Sequence, residues 1–165
     1  VLCLWRYGLT LQMMNAWLVA SLLLCVFLID MQAMIIPNGL VLAFLAPILF
    51  DLALTGFSGI LGRVIGFFAV SLPLLLLTRL IPDCFGGGDI KLLAVCGFLL
   101  GWKAILLSAF FAVVGCGLVC MVKMALKKVK KGDHVAFGPY LAAGILAARL
   151  FYTPVMDAYI ALLGL

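Results

Sequence analysis

Long apolar runs broken by short polar or Pro/Gly-containing segments recur along the chain. A membrane-spanning helix needs about 20 apolar residues, since each adds about 1.5 Å across a hydrocarbon core of about 30 Å. At that scale the pattern predicts six spans. The first covers about residues 13–29 and stops at Asp30. The second starts after Pro37 and Asn38, runs to about residue 50 and ends at Asp51. A short turn over residues 55–59 leads to a third span, about 60–77, with Arg63 near its start. Residues 78–89 read as a loop by their Pro and Gly content. The fourth span, about 90–100, is too short to cross unless Asp89 and its neighbours also sit at membrane depth. A fifth covers about 104–122 and a sixth about 135–150. The apolar tail, residues 153–165, holds Asp157 and is expected at the interface or packed on the bundle.

Composition supports lipid as the solvent. Of 165 residues, 68% are hydrophobic and 10% charged, and the mean hydropathy is +1.38. Soluble domains are nearer half apolar and a quarter charged, and a chain of this size has no soluble core able to hide so much Leu, Val, Ile and Phe. The first apolar segment follows no basic region and precedes no small-residue cleavage site, so it reads as a retained span. The expectation is an all-α, polytopic membrane protein forming one domain over residues 1–165, with its functional core at about 29–143.

The net charge of +5 is concentrated in one run, residues 123–131. Between two apolar spans, such a run fits a cytoplasmic loop near anionic lipid better than a nucleic-acid site. With that loop inside, alternating spans put Arg79, Lys91 and five lysines (123, 127, 128, 130 and 131) inside. Arg6, Arg63, Lys103 and Arg149 fall outside. Asp30 then ends an inward span and Asp89 begins an outward one, so both reach one membrane face. The six cysteines form no CxxC pair, and small buried hydrophobes are their expected role; Cys116 and Cys120, four apart, make at best a weak metal site. No metal or cofactor is called for.

The acidic residues form a short roster: Asp30, Asp51, Asp83, Asp89, Asp133 and Asp157, with no Glu, and His134 is the single histidine. A charged Asp at the centre of a spanning helix costs roughly 2.5–3.5 kcal/mol on insertion scales. The bland reading of Asp30 and Asp89 is that they mark helix ends, where a carboxylate reaches water cheaply. Their contexts favour more. Asp30 is followed by Pro37 and Asn38, and proline fixes the angle at which the next helix enters. Asp89 closes Gly86, Gly87 and Gly88, which permit close backbone approach and leave no side chain between the carboxylate and an extended peptide. Gly-rich backbone at membrane depth survives where it lines a cavity or meets a partner. The helix after Asp89 points its positive end at that carboxylate. A phosphate loop fits badly, because no Lys-Ser/Thr follows, no strand precedes and Asp89 would repel the anion.

Asp30 with Pro37 and Asn38, then Gly86-x-Gly88-Asp89 with Lys91, then Phe137-Gly138-Pro139-Tyr140, resembles the type IV prepilin peptidase family, a branch of the GxGD intramembrane aspartyl proteases. The resemblance covers about residues 29–143. It implies Asp30 and Asp89 as the catalytic pair, Gly86 and Gly88 as the glycines of the second motif, and Lys91 as the basic residue after it, a headgroup anchor or a tuner of the Asp89 charge. Phe137 to Tyr140 match a segment read as structural. The implied substrates are prepilin-like or pseudopilin proteins, cut between a basic leader and an apolar helix on the cytoplasmic side of a bacterial inner membrane. Two departures stand out. Residues 31–34 lack the basic positions common in short members, and no paired CxxC methyltransferase domain is present, which implies peptidase activity without N-methylation.

Two carboxylates about 5 Å apart would repel by about 3 kcal/mol at an effective dielectric of 20. One proton is then shared by the pair, with the ionised member activating water and the protonated one donating to the carbonyl oxygen or leaving amine. A presenilin-type protease is disfavoured, because Ile29 rather than Tyr precedes Asp30. A small proton- or ion-coupled transporter using Asp30 and Asp89 is the non-enzyme alternative, against which stand the lack of an internal repeat and the placement of both residues at one face. The remaining polar groups take plain roles: His134 and Asp83 in inner loops, Asp51 and Asp157 in outer-face water, Arg63 snorkelling or paired with Asp51. Small-residue runs at 115–117 and 142–144 suit close helix packing or a homo-oligomer.

Overall fold

The computed structural model describes residues 10–81, 86–126 and 136–163, the last of these by backbone alone beyond Phe151. Among the described residues all regular structure is helical: α1 Leu11–Ala33, α2 Asn38–Ala43, α3 Leu45–Thr55, α4 Ile60–Ala69, α5 Ser71–Leu80, α6 Gly87–Leu100, α7 Trp102–Ala125 and α8 Gly138–Leu163. Two pairs are single spans interrupted once. Pro47 lacks the N–H that would bond residue 43, and its ring crowds that carbonyl, so α2 ends at Ala43 and α3 resumes after Phe44. Pro73 acts in the same way four residues after Ala69, where α4 gives way to α5 at Val70. Taken as spans, Leu11–Ala33, Asn38–Thr55, Ile60–Leu80 and Trp102–Ala125 are each long and apolar enough to cross a membrane, and Gly138–Phe151 is a shorter apolar helix. The chain is an all-α, multi-pass membrane protein.

Several boundaries differ from the sequence reading. Asp30 does not end its helix: α1 continues to Ala33 and stops at Met34, whose left-handed backbone (φ 51°) turns its N–H back to the Asp30 carbonyl at 2.9 Å. Gly87, Gly88 and Asp89, read as loop, form the first turn of α6. The tail read as separate from the sixth span continues α8 as one helix to Leu163.

α6 explains its own brevity. Its 14 residues reach only about 21 Å, less than the hydrocarbon core. It need not match lipid, however, because it is the axis of the bundle, in contact with α2, α3, α4, α5, α7 and α8. Leu92, Leu93, Cys96 and Leu99 are buried on it and pack into one core with Val19, Val26 and Phe44, and with Ile105 and Ile145. The approach of α4 is set by glycine on both sides. A Cβ on Gly66 would lie 2.3 Å from the Gly97 carbonyl oxygen, and one on Gly97 would lie 2.1 Å from that of Gly66. Gly144 serves the α7–α8 contact likewise, its absent Cβ falling 2.6 Å from the Ser108 carbonyl, so the small run at 142–144 packs helices as expected. Gly115 faces the Tyr140 ring, whereas Gly117 looks onto open space. The large apolar side chains left outside, such as Leu61, Phe110 and Met121, form the surface turned to lipid.

Following the chain up and down the bundle puts the ends of α1, α5 and α7 and the starts of α6 and α8 at one end. The turns at 56–59 and at Gly101 lie at the other. At that far end Arg63 pairs with Asp51 at 2.6 Å and donates to Thr55 Oγ1 at 3.1 Å, so of its two expected roles it takes the pairing. Deeper in the bundle, Asn15 on α1 donates to the Pro47 carbonyl at 3.0 Å and ties α1 to α3.

Candidate active site

Asp30 lies one turn before the end of α1, and Asp89 lies in the first turn of α6. The topology brings both to the same end of the bundle. They are 5% and 9% exposed, so both carboxyls are withdrawn from the surface although each sits near a helix end.

Each carboxylate has its own surroundings. Asp30 Oδ2 accepts a hydrogen bond from the backbone N–H of Gly138 at 2.9 Å. That amide opens α8, where the first N–H groups have no partner within the helix, and the positive end of the helix favours negative charge beside it. Asp30 thus caps a helix 108 residues further along the chain. Any side chain at 138 would displace the Asp30 carboxylate: an added Cβ would lie 2.6 Å from Asp30 Oδ2 and 2.7 Å from its Cγ. Asp89 is held by its backbone, its N–H bonding the Gly86 carbonyl at 3.1 Å. Its Oδ1 is buried and takes no hydrogen bond from any described residue.

The three glycines before Asp89 do different things. Gly86 precedes α6 in extended conformation, and a Cβ there would come within 3.0 Å of Asp89 Oδ2. Gly88 makes the close approach, since its Cβ would lie 2.8 Å from the Ile36 Cβ. Gly87 meets nothing within 4 Å. Pro37 sets the extended entry to α2 (φ −63°, ψ 137°), and Asn38 begins that helix. Lys91 does not turn to Asp89; its Nζ donates to Asn38 Oδ1 at 2.9 Å. The structure therefore gathers Asp30, Asp89, Gly86, Gly88, Pro37, Asn38 and Lys91 at one end, with Gly87 at the rim. Gly138 is the residue that sequence reasoning left as structural. The available sign was a glycine immediately before a proline at a helix start, where a backbone N–H is free to bind an anion. Asp83, Asp133, His134 and the lysines at 127, 128, 130 and 131 lie outside the described residues, as does the Asp157 side chain.

Fold and site together define a class: a polytopic helical membrane protein with two buried aspartates at one end of its bundle. Comparison with known proteins narrows it. A family model described as the type IV leader peptidase family matches residues 17–121, which include both aspartates. The prepilin leader peptidase/N-methyltransferase of Bacillus subtilis (strain 168) is 33% identical over 160 residues, covering 94% of this chain and 62% of that protein. Proteins of the same name from Pectobacterium carotovorum subsp. carotovorum and Burkholderia pseudomallei (strain 1026b) are 33% and 36% identical, covering 86% and 80% of this chain and 52% and 44% of theirs. No solved structure matches. The chain belongs to the type IV leader peptidase family, and it spans between about two-fifths and three-fifths of the length of these relatives.

Proposed function

We propose that the protein is an aspartic endopeptidase that removes the leader from prepilin-like or pseudopilin substrates at the cytoplasmic face of a bacterial inner membrane. The observation that carries this reading is the convergence of Asp30 and Asp89, both buried, at the end of the bundle where α1 stops and α6 begins. Lys91, Arg79 and Lys123 belong to the same end, and the sequence after Lys123 adds Lys127, Lys128, Lys130 and Lys131, an excess that fits a cytoplasmic orientation by the positive-inside rule.

The surroundings of the two acids divide their labour. Asp30, whose Oδ2 accepts the Gly138 amide, is the base that takes a proton from the attacking water. Asp89, with a buried oxygen that no described group satisfies, holds the shared proton at rest. It donates that proton to the scissile carbonyl oxygen as the tetrahedral intermediate forms. As the intermediate collapses, the proton taken up by Asp30 goes to the leaving amine, the C–N bond breaks, and a hydroxyl of the intermediate returns its proton to Asp89. Gly86, extended and free of a side chain, leaves room for an extended substrate segment beside the acids.

Co-expression with a prepilin tests the proposal by gel mobility. Wild type should shorten the substrate by its leader, and Asp30→Asn and Asp89→Asn should each leave it full length. Processing that survives both substitutions would remove the aspartates from the reaction.

A further inference from the structure

We infer that Lys91 and Asn38 form a latch: their hydrogen bond holds the connector between α1 and α2 against the first turn of α6 and so sets how Asp30 faces Asp89. The inference rests on the peptidase reading for its kinetic consequences, but the latch itself is a structural contact. Residues 34–37 run from the end of α1 to Asn38, and three ties fasten this short stretch. Met34, with φ 51°, returns its N–H to the carbonyl of Asp30, so the connector begins on the residue that carries one acid. Ile36 is the one buried side chain between residues 31 and 39, and it sits where a Cβ on Gly88 would lie, beside the residue that carries the other acid. Lys91 Nζ then reaches Asn38 Oδ1 at 2.9 Å across 53 residues of sequence.

The helix geometry of α6 separates this role from a charge effect. Residues two apart on a helix do not face each other, so Lys91 and Asp89 leave α6 in different directions. Asn38 is the first residue of α2, so holding its side chain fixes the point at which the connector ends. Lys91 and Asn38 touch neither acid in the structure; they are positioning residues acting through the connector.

The test uses the full chain in proteoliposomes with a prepilin, comparing Lys91→Met, Asn38→Ala, the double variant, and the conservative Lys91→Arg and Asn38→Asp. Hydrogen exchange in the 34–40 segment is followed on the same samples. A misaligned pair of acids slows chemistry, so each single variant should lower kcat about tenfold with KM nearly unchanged. The double variant should be no slower than either single, because both remove one contact. The pH profile should keep its shape, and both conservative variants should retain most of the rate. Connector amides should exchange faster in each single variant and no faster in the double. Additive losses, a shifted pH profile in Lys91→Met, a loss confined to KM, or unchanged exchange would overturn the latch. Asp30→Asn and Asp89→Asn in the same assay keep the two questions apart. If they abolish cleavage while the latch variants behave independently, the latch alone fails. If wild type does not cleave, the peptidase reading fails and exchange still decides the latch.

Discussion

At the scale of single residues, the site is an arrangement of oxygen atoms around missing side chains. Gly138 is the sharpest case, because its N–H holds Asp30 while its lack of a Cβ leaves room for that carboxylate. Gly138→Ala should displace the Asp30 carboxylate by a large fraction of an ångström. Misplacement on that scale costs up to about a hundredfold in rate, so cleavage of a prepilin should fall by one to two orders of magnitude in a protein that still purifies folded, checked by initial rates alongside a thermal melt. Asp30, Asp89, Pro37 and Asn38 could be picked out from the chain because polar or helix-breaking residues are conspicuous beside apolar runs. The Gly138–Asp30 bond could not, since it joins positions that only the assembled bundle brings together. Lys91 was visible as a cation near Asp89, but its choice of Asn38 depends on where α2 starts.

At the scale of elements, the number of apolar segments was legible, and their ends and breaks less so. The helix breaks at Phe44 and Val70 follow from Pro47 and Pro73, which a hydropathy window averages away. α6 looked too short to be a span because length matters only to a helix that meets lipid, and burial of a helix by its neighbours is a property of the whole bundle. The glycines that let α4 cross α6 give a prediction at this scale. A methyl at Gly66 or Gly97 would meet a backbone carbonyl that cannot move alone, so Gly66→Ala and Gly97→Ala should each destabilise by about 2–3 kcal/mol or more. Gly117 has open space where its Cβ would go, and Gly117→Ala should be neutral or stabilising by up to about 1 kcal/mol. Denaturant or SDS titration of the three variants in one detergent reads the contrast.

At the scale of the whole molecule, the Arg63–Asp51 pair and the proposed catalytic aspartates lie at opposite ends of the bundle. The Arg63–Asp51 pair closes the α3–α4 turn far from the aspartates. Asp51→Asn should cost about 2 kcal/mol through a weakened charge-assisted hydrogen bond at a partly exposed site, seen as a lower melting temperature, while prepilin cleavage by the folded fraction stays within about twofold. Loss of cleavage without loss of stability would mean that the two ends are coupled. The up-and-down order of the spans was legible from charge placement and apolar length. The convergence of α1, α6 and α8 on one site was legible only in part, through the two motifs whose acids were expected at one face.

The most direct test of the account is whether Asp30 and Asp89 act as one unit. Purified chain in proteoliposomes should be assayed against a prepilin under single-turnover conditions, with the products weighed by mass spectrometry, for wild type, Asp30→Asn, Asp89→Asn and the double variant. A shared-proton pair predicts that wild type releases the intact leader and that each single variant is as inactive as the double, since removing either acid removes the function of both. Multiplying losses, with measurable cleavage left in either single variant, would contradict it.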